Sequence, residues 1–468
     1  MRYVSTRGGA PELDFEGVLL AGLARDGGLY VPESWPRLTA DDLRGFGGLP
    51  YADVAARVMR PFVGDCLPPA EFEALVAESY AGFDHAAVAP MAQLGSNEWL
   101  LELFHGPTLA FKDFALQLLG RLFDRVLARR GERVTVVGAT SGDTGSAAIE
   151  ACRGREAVDI FILHPKGRVS EVQRRQMTTV DAANVHNIAI DGTFDDCQDL
   201  VKAMFNDGAF RDSMRLSAVN SINWARIMAQ TVYYVTAAVA LGAPDRRIAF
   251  SVPTGNFGDV FAGYAAARMG LPVAKLIVAT NANDILDRFF ETGEMTARPV
   301  VPTLSPAMDI QVSSNFERLL FDMHGRDGRK VSQAMTAFRE SGAMTAPAEA
   351  MEDARALFAS ARLDDDGIRA EIADTLSATG HVVDPHTATA LHAGRVRRGD
   401  PATPLVCLAT AHPAKFPDAV EQATGRRPAL PERLATLMEL PERMTGLPND
   451  LAAVQDHLRA RSRVGVGA

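Results

Sequence analysis

Residues 251–267, SVPTGNFGDVFAGYAAA, contain the pattern that decides the fold. An apolar run ends at Pro253, a glycine-flanked loop follows at residues 255–258, and an alanine-rich helix begins near Asp259. This order predicts a strand, a short loop and a helix. Glycine lets backbone amides approach an anion, and a helix N-terminus is partially positive, so the loop suits a phosphate. The alternative is a tight turn that needs glycine only for its backbone angles.

The same alternation of short apolar runs and amphipathic segments continues along much of the chain. The apolar runs are rich in β-branched residues and lie next to turn residues, as in the strands of a buried parallel sheet. Strands that alternate with helices indicate α/β architecture. The predicted strands are WLLELF (99–104), RVTVVGA (133–139), DIFILHP (159–165), NVHNIAI (184–190), RIAFSVP (247–253), AKLIVAT (274–280) and PLVCLAT (404–410).

Changes in pattern predict four domains or segments. Residues 1–95 are expected to form a mostly helical N-terminal domain, and residues 426–468 a helical tail. Residues 96–235 and 236–425 are expected to form two α/β lobes. The second lobe carries a predicted helical insertion at about residues 284–366.

Composition excludes some classes of function. The chain has 468 residues, is 47% hydrophobic and 23% charged, and carries a formal net charge of -10. That charge argues against a nucleic-acid partner. There is no apolar run long enough for a membrane span and no apolar signal region at the start, so a cytoplasmic protein is expected. The cysteines have no disulfide or metal spacing and are expected to be reduced thiols: Cys66, Cys152, Cys197 and Cys407.

A second glycine-bearing junction lies at residues 134–152, VTVVGATSGDTGSAAIEAC. Hydroxyl donors at Ser141, Thr144 and Ser146 add to the amides of a predicted helix start, which suits a carboxylate or a phosphate. The alternative is a helix start that is merely capped, through Ser141 or Asp143.

Lys112 stands at a predicted helix start in residues 104–120, FHGPTLAFKDFALQLLG. Lysine is scarce, since only six of the 48 basic residues are lysines. Phe111 and Phe114 make the surroundings apolar, which disfavours an ammonium and favours a nucleophilic amine. The alternative is a solvated lysine that covers apolar surface with its stem.

A nucleophilic lysine with two anion loops predicts pyridoxal phosphate acting on an amino acid. The lysine would form a Schiff base, one loop would hold the cofactor phosphate, and the other would hold the substrate carboxylate. No metal site is predicted.

The segment HGPTLAFKDFALQLLG (105–120) resembles the Schiff-base segment of threonine synthases from bacteria and fungi. The resemblance covers nearly the whole chain and implies a fold-type-II (tryptophan-synthase-β-like) α/β enzyme. Such an enzyme has two open lobes, with pyridoxal phosphate in the cleft between them, and an N-terminal helical domain. The other stretches that carry the resemblance are the opening residues 1–33, GATSGDTGSAA (138–148), NSINWARIMAQ (220–230), PTGNFGD (253–259), PAMDIQVSSNFERLL (306–320) and ATAHPAKF (409–416).

This resemblance implies a reaction and a set of cofactor residues. The reaction converts O-phospho-L-homoserine and water to L-threonine and phosphate, by β,γ-elimination and then addition of water at Cβ. It is the last step of threonine biosynthesis, and Lys112 would take the α-proton. Thr410 would approach the pyridine nitrogen, and the SGDTG position, Asp143 here, more often carries Asn in the wider fold. The implied cofactor residues are Lys112, Gly255, Asn256, Phe257, Gly258, Asp259 and Thr410.

The implied substrate residues lie in two stretches. Ser141 and Thr144 are the candidates for the substrate carboxylate. Asn220, Asn223 and Arg226 are the candidates for its phosphate, because arginine binds a phosphate through paired hydrogen bonds. The alternative for the stretch NSINWAR is a helix start with asparagine caps and a buried tryptophan.

Three rival functions remain at this point. A phospho-lyase would stop after elimination and release 2-oxobutyrate. A regulatory module would bind the cofactor without catalysis, but its site residues would be degenerate. A nucleotide-binding enzyme would show GK[ST] or GxGxxG patterns, which this chain lacks. The expected partner is a small-molecule substrate, with no nucleic acid or membrane, for a monomer or homodimer.

Overall fold

The computed structural model describes residues 1–217 and 221–464. The strands of these residues, in chain order, are β1 Tyr3–Ser5, β2 Tyr30–Pro32, β3 Met91–Gly95, β4 Glu98–Glu102, β5 Val134–Ala139, β6 Val158–Pro165, β7 Val185–Asp191, β8 Leu216–Ser217, β9 Ile248–Pro253, β10 Val273–Thr280, β11 Glu294–Thr296, β12 Ala343–Thr345, β13 Phe358–Arg362, β14 Leu405–Ala409 and β15 Thr445–Pro448. The α-helices, in chain order, are α1 Phe15–Ala21, α2 Ala40–Gly45, α3 Tyr51–Val63, α4 Pro69–Tyr80, α5 Lys112–Arg130, α6 Asp143–Cys152, α7 Glu171–Thr178, α8 Phe194–Asn206, α9 Gly208–Ser213, α10 Trp224–Ala240, α11 Gly258–Arg268, α12 Ile285–Thr292, α13 Phe316–Met323, α14 Gly328–Ser341, α15 Ala348–Leu357, α16 Asp365–Thr379, α17 Pro385–Arg397, α18 Pro417–Thr424 and α19 Leu451–Arg461.

The chain separates into two compact units. The first unit contains residues 1–111 and 221–428, and the second contains residues 112–220 and 429–468. Each unit is built around one largely parallel sheet, as the alternation of apolar runs and helices predicts. The domain limits at 95, 235 and 425 are a different division of the chain and stay a prediction.

The sheet of the first unit has the strand order β13-β10-β9-β14-β4-β3. Neighbouring strands are parallel except β3 and β4. Every residue of β9 and β14 is buried, because helices cover both faces of the sheet and leave no side of these strands in water. The carboxyl end of β9 leads into the loop at residues 255–257, and that of β14 leads into Thr410. Such ends are where ligands bind in open α/β sheets.

The sheet of the second unit has the order β15-β7-β6-β5-β8 and is parallel throughout. Helices α8 and α19 cover one face with an apolar cluster that includes Phe161, Leu163 and Leu458. The carboxyl end of β5 leads into residues 140–142, ahead of α6. The second predicted anion loop therefore also occupies a ligand-binding position of a parallel sheet.

All seven predicted strands are confirmed, as β4, β5, β6, β7, β9, β10 and β14. Eight of the fifteen described strands were not predicted, among them β13 and β15. Phe358–Arg362 (β13) pairs with β10, so the end of the segment predicted as a helical insertion is an edge strand. Thr445–Pro448 (β15) pairs with β7 inside the tail predicted as helical. Both are short, and the partner strands lie far away in sequence, so local pattern does not reveal them.

The N-terminal residues pack on the start of α10. The Trp224 ring is fully buried and lies 6.0 Å from the Tyr3 ring and 5.6 Å from the Phe62 ring, measured between centroids. Tyr3 and Phe62 belong to β1 and α3, so the N-terminal segment supports the part of the chain that carries NSINWAR.

Two predictions about the chain as a whole can be compared with the structure. Cys152, Cys197 and Cys407 are buried, Cys66 is half-buried, and all four are free thiols, as predicted. Among the described residues, no helix is both long enough and apolar enough to cross a membrane.

Candidate functional site

Lys112 is the first residue of α5, and its side chain is buried in the second unit. Its Nζ lies 3.6 Å from Oδ2 of Asp143, the first residue of α6. A carboxylate at this distance favours the ammonium form, whereas burial and the helix start disfavour it. The structure therefore adds an opposing charge that the sequence interpretation of Lys112 did not include.

Asp143 is itself held in place by a buried glutamine. Its Oδ1 accepts a hydrogen bond from Nε2 of Gln173 at 2.8 Å. A Cβ atom at Gly142 would lie 2.5 Å from the Gln173 amide group, so glycine is needed for this approach. Gly142 also has a φ of 146°. The backbone and Gln173 together fix the carboxylate that faces Lys112.

The start of α6 is organised by Thr140. Its hydroxyl accepts hydrogen bonds from the amides of Gly142 and Gly145, both at 2.9 Å. The predicted alternative of a cap through Ser141 or Asp143 is wrong, because the cap residue Gly142 has no side chain and Asp143 binds Gln173.

The two predicted carboxylate ligands border this helix start. Ser141 is exposed and Thr144 is half-buried. Thr144 lies in the first turn of α6, where backbone amides have no acceptor within the helix. Their hydroxyls and these amides form a polar edge close in sequence to Asp143.

In the first unit, the loop after β9 is an uncapped helix start. The cap residue of α11 is Phe257, which makes no side-chain cap hydrogen bond and has a left-handed backbone (φ 61°, ψ 4°). Its ring is buried against Phe316, with centroids 5.0 Å apart. The Phe257 side chain therefore belongs to the core, and only its backbone is available to a ligand at the start of α11.

Residues 307–315 contact the same loop. Ser313 donates to the carbonyl of Gly255 at 2.7 Å, and the amide of Asn315 donates to the carbonyl of Asn256 at 3.1 Å. A Cβ at Gly255 would lie only 2.9 Å from the Ala307 carbonyl oxygen. The close approach of the Ala307 backbone therefore leaves no room for a side chain at Gly255.

The carboxylate of Asp259 is turned away from this surface. Its Oδ1 accepts hydrogen bonds from the hydroxyls of Tyr233 and Tyr234, the latter at 3.0 Å. Gln230 donates to the Tyr233 hydroxyl at 3.0 Å. The backbone of Asp259 fits the predicted phosphate loop, but its side chain serves the contact between α10 and α11.

Thr410 follows β14 and is buried. Its carbonyl accepts a hydrogen bond from the amide of Phe111 at 2.8 Å. Phe111 directly precedes Lys112 in the chain. The backbone of the predicted pyridine ligand is therefore bonded to the segment that leads into the predicted cofactor lysine.

The stretch NSINWAR divides into residues with different roles. Asn220 lies outside the described residues. Asn223 caps α10, since its Oδ1 accepts from the Ala225 amide at 3.0 Å and its Nδ2 donates to the Leu19 carbonyl at 2.8 Å. Its oxygen and one N–H of its amide group are thus used in structural hydrogen bonds, so Asn223 acts as a helix cap, and its role toward a phosphate stays a prediction. The structural alternative describes Asn223 and the buried Trp224 correctly.

Arg226 is different. It is 4% exposed, and its Nε and Nη1 have no hydrogen-bond partner among the described residues. Burial lowers the pKa of its guanidinium to about 10. Leaving two N–H groups of a buried cation without partners is costly, so this arginine points to an anionic ligand. The adjacent Ile227 lies 3.7 Å from the place of a Cβ at Gly258, which puts this turn of α10 beside the start of α11.

Sequence reasoning missed Gln173, Tyr233 and Tyr234. Tyr233 had a detectable signal in the sequence. Gln230 and Tyr233 follow Arg226 by four and seven residues, so the three polar side chains share one face of a largely apolar helix. Polar groups at that spacing indicate a buried polar face. Gln173 gave no comparable signal, because only the fold brings it to Gly142.

Comparisons with known proteins agree with this geometry. Family models match at residues 2–80 (threonine synthase N terminus), 86–410 (pyridoxal-phosphate dependent enzyme) and 387–458 (threonine synthase, C-terminal). The threonine synthase of Pseudomonas aeruginosa is 60% identical over 456 residues, which cover 97% of each chain.

Two solved structures are similar to this chain over nearly its whole length. The PLP-bound threonine synthase from Brucella melitensis superposes with a TM-score of 0.98 at 56% identity, covering 99% of this chain and 100% of that one. The yeast threonine synthase superposes with a TM-score of 0.94 at 39% identity, covering 98% of both chains. The predicted fold class, with its N-terminal domain, is confirmed.

Proposed function

The chain belongs to the threonine synthase family of pyridoxal-phosphate-dependent enzymes, and we propose that it converts O-phospho-L-homoserine and water to L-threonine and phosphate. The observation that carries the proposal is the buried Lys112, whose Nζ lies 3.6 Å from the Asp143 carboxylate at a second helix start. The enzyme would act in the cytoplasm, as a monomer or homodimer, on the last step of threonine biosynthesis.

The residues present fit the cofactor. Lys112 would carry it covalently, and the uncapped amides at the start of α11 would hold its phosphate. Gly255 lets the Ala307 backbone approach the loop closely, and the Asp259 carboxylate accepts a hydrogen bond from Tyr234. When bound, pyridoxal phosphate supplies an electron sink that stabilises negative charge at the substrate carbons.

Thr410 would meet the pyridine nitrogen. A hydroxyl is neutral, so it does not hold a proton on that nitrogen as a carboxylate would. The hydrogen bond from Phe111 to the Thr410 carbonyl fixes the backbone at this point.

Two polar groups would hold the substrate's anionic ends. The hydroxyls of Ser141 and Thr144, with the first-turn amides of α6, suit a carboxylate. Arg226 suits the phosphate, because a dianion would pair its buried guanidinium and offset the cost of burial. Asn220 is a second proposed phosphate ligand.

Lys112 would also move protons. With cofactor and substrate bound, the free Nζ of Lys112 would take the α-proton. The ammonium formed in this way is stabilised by Oδ2 of Asp143, and Gln173 keeps that carboxylate in place. The two residues would therefore have different roles: Lys112 would transfer the proton, and the Asp143 carboxylate would stabilise the positive charge that Lys112 then carries.

The proposal is tested on the purified protein with added pyridoxal phosphate. We expect visible absorbance, a cofactor attached to Lys112 after borohydride reduction, and release of threonine and phosphate from O-phospho-L-homoserine. Lys112→Ala should lose the attachment. Lys166→Ala is the control, because Lys166 is exposed in the same unit and pairs with Asp191. A colourless protein would contradict the cofactor assignment, and release of 2-oxobutyrate instead of threonine would show the phospho-lyase.

A further inference from the structure

Lys415 has no exposed surface. It ends the short 3-10 turn Pro413–Lys415, which follows β14 within residues 409–416. Its Nζ donates a hydrogen bond to the carbonyl oxygen of Thr108 at 2.6 Å. The proposed function gives this lysine no part in binding or catalysis.

Burying an ammonium costs several kcal/mol unless oxygen atoms replace its water. The other lysines with a described ion pair, Lys112 apart, avoid this cost: Lys166 and Lys202 pair with aspartates at the surface. At Lys415, the buried ammonium donates to the main-chain carbonyl of Thr108. A charged donor makes a stronger hydrogen bond than a neutral one, so this bond holds Thr108 firmly.

The Thr108 carbonyl belongs to a segment that is otherwise bonded along its length to the residues around Thr410. The amide of His412 donates to the Leu109 carbonyl at 3.0 Å, and Ala110 forms an antiparallel bridge with Ala411. The amide of Phe111 donates to the Thr410 carbonyl at 2.8 Å. The backbone bonds between the two segments end at Leu109. The side chain of Lys415 adds one more bond, to the carbonyl of the preceding residue, Thr108.

The extension reaches a strained residue. Leu109 is buried and has a φ of 63°, a left-handed conformation that leucine rarely adopts and that costs about 1–3 kcal/mol. Such a conformation persists only where the surrounding structure holds it, and the Leu109 amide itself donates to the Gly106 carbonyl at 3.1 Å. Ala110 holds it on one side, and the ammonium of Lys415 holds Thr108 on the other.

We infer that Lys415 is a positioning residue for Lys112: its buried ammonium holds the turn at Thr108 and Leu109, and so fixes the path of the chain into α5. This inference rests on the proposed role of Lys112. Loss of the ammonium would let the turn relax, and a displacement of about 1 Å at a catalytic group can cost roughly 100-fold in rate.

The test compares Lys415→Met with Lys275→Met. Lys275 is a matched control, because it also donates to main-chain carbonyls, those of Arg355 and Ala356 at 2.8 and 2.9 Å, within the same unit. Three quantities are measured: amide hydrogen exchange of a peptide spanning residues 106–112, with and without pyridoxal phosphate; visible circular dichroism of the bound cofactor; and kcat and KM.

For Lys415→Met we expect faster exchange in that peptide, a changed visible circular dichroism band, and kcat lowered about 10- to 100-fold with KM within about threefold. For Lys275→Met we expect all of these to match the unmodified protein. Lys415→Gln keeps an N–H donor without the charge and should fall between the two. Wild-type exchange and dichroism in Lys415→Met would overturn the inference.

Two further outcomes are decisive. If neither Lys415 variant gives a folded protein, Lys415 is needed for the whole fold and the positioning role is wrong. Lys112→Ala separates the two proposals. If it keeps the covalent cofactor, the proposed function fails; if it loses the cofactor while Lys415→Met behaves as wild type, only the inference fails.

Discussion

The hydroxyl of Tyr234 donates a hydrogen bond to Oδ1 of Asp259 at 3.0 Å. Tyr233 donates to the same oxygen. Asp259 is the second residue of α11, where a carboxylate normally turns toward the exposed amides of the first turn. The two tyrosines instead hold it against α10. The start of the helix therefore remains available for an external anion.

The double variant Tyr233→Phe/Tyr234→Phe should weaken cofactor binding. Without its two donors, Asp259 would turn toward the first-turn amides and repel the cofactor phosphate. We expect the Kd for pyridoxal phosphate to rise about 10-fold, which corresponds to ~1.4 kcal/mol. Equilibrium titration of the apoenzyme measures this. Tyr51→Phe, at a buried tyrosine in α3, is the control, and an unchanged Kd in the double variant would speak against this role of the pair.

Gly255→Ala should disturb the same loop by another route. The added Cβ would lie 2.9 Å from the Ala307 carbonyl oxygen and 3.0 Å from Cα of Met308, so backbone must move. We expect cofactor affinity to fall at least about 10-fold and stability to fall by about 1–3 kcal/mol. Gly82→Ala is the control, since a Cβ there meets nothing within 4 Å. Normal affinity in Gly255→Ala would mean that the loop can yield without losing its shape.

Arg226→Met should stabilise the fold while impairing substrate binding. It removes a buried cation whose Nε and Nη1 lack partners among the described residues. Denaturation of the apoenzyme is expected to show a gain of about 1–3 kcal/mol. In the holoenzyme, KM for O-phospho-L-homoserine should rise roughly 30-fold or more.

Arg318→Met is the matched control for Arg226→Met. Arg318 is also buried, but its guanidinium donates to the carbonyls of Tyr30, at 3.0 Å, and Ile222, and to the side chain of Asn315. Its loss would leave these acceptors buried and unpaired, and should destabilise the protein by on the order of 3 kcal/mol. If both variants shifted stability in the same direction, the distinction between a ligand-binding and a structural arginine would be wrong.

The pH dependence of stability should include a contribution from His457. Burial lowers the pKa of His457 to about 4, and the charges of Arg461 and His186 act in the same direction. The neutral ring is favoured in the folded protein, whereas the unfolded chain takes up a proton near pH 6.5. The contribution of the neutral His457 ring to the free energy of unfolding is therefore present above pH 6.5, and it is lost as the pH falls toward 4.

The variant His457→Gln should reduce that loss. We expect Tm to fall less between pH 7 and pH 4.5 in the variant than in the unmodified protein, measured by thermal denaturation in both buffers. Val454→Ala, a buried change on the same helix, should lower Tm while keeping the original pH slope. A His457→Gln slope equal to that of the unmodified protein would exclude this histidine as a source.

The features predictable from sequence were those encoded locally. Strands β9 and β14 are recognisable in the sequence as continuous apolar runs, because both faces of a parallel sheet are buried. Strands β13 and β15 were missed because each forms only by pairing with a strand far along the chain. The roles of Lys112 and of the loop at residues 255–258 were proposed from helix starts, which are also local signals.

The sequence alone determined the α/β class, the family, and the residues that can carry the chemistry, because apolar period, glycine placement and motif order are properties of neighbouring residues. Only the tertiary structure decided what those residues face. It set Asp143 against Lys112, turned Asp259 toward Tyr234, left Arg226 buried without a described partner, and occupied Asn223 as a helix cap. The physical reason is that ion pairing, burial and hydrogen-bond satisfaction depend on groups far apart in the chain, which only packing brings within a few ångströms.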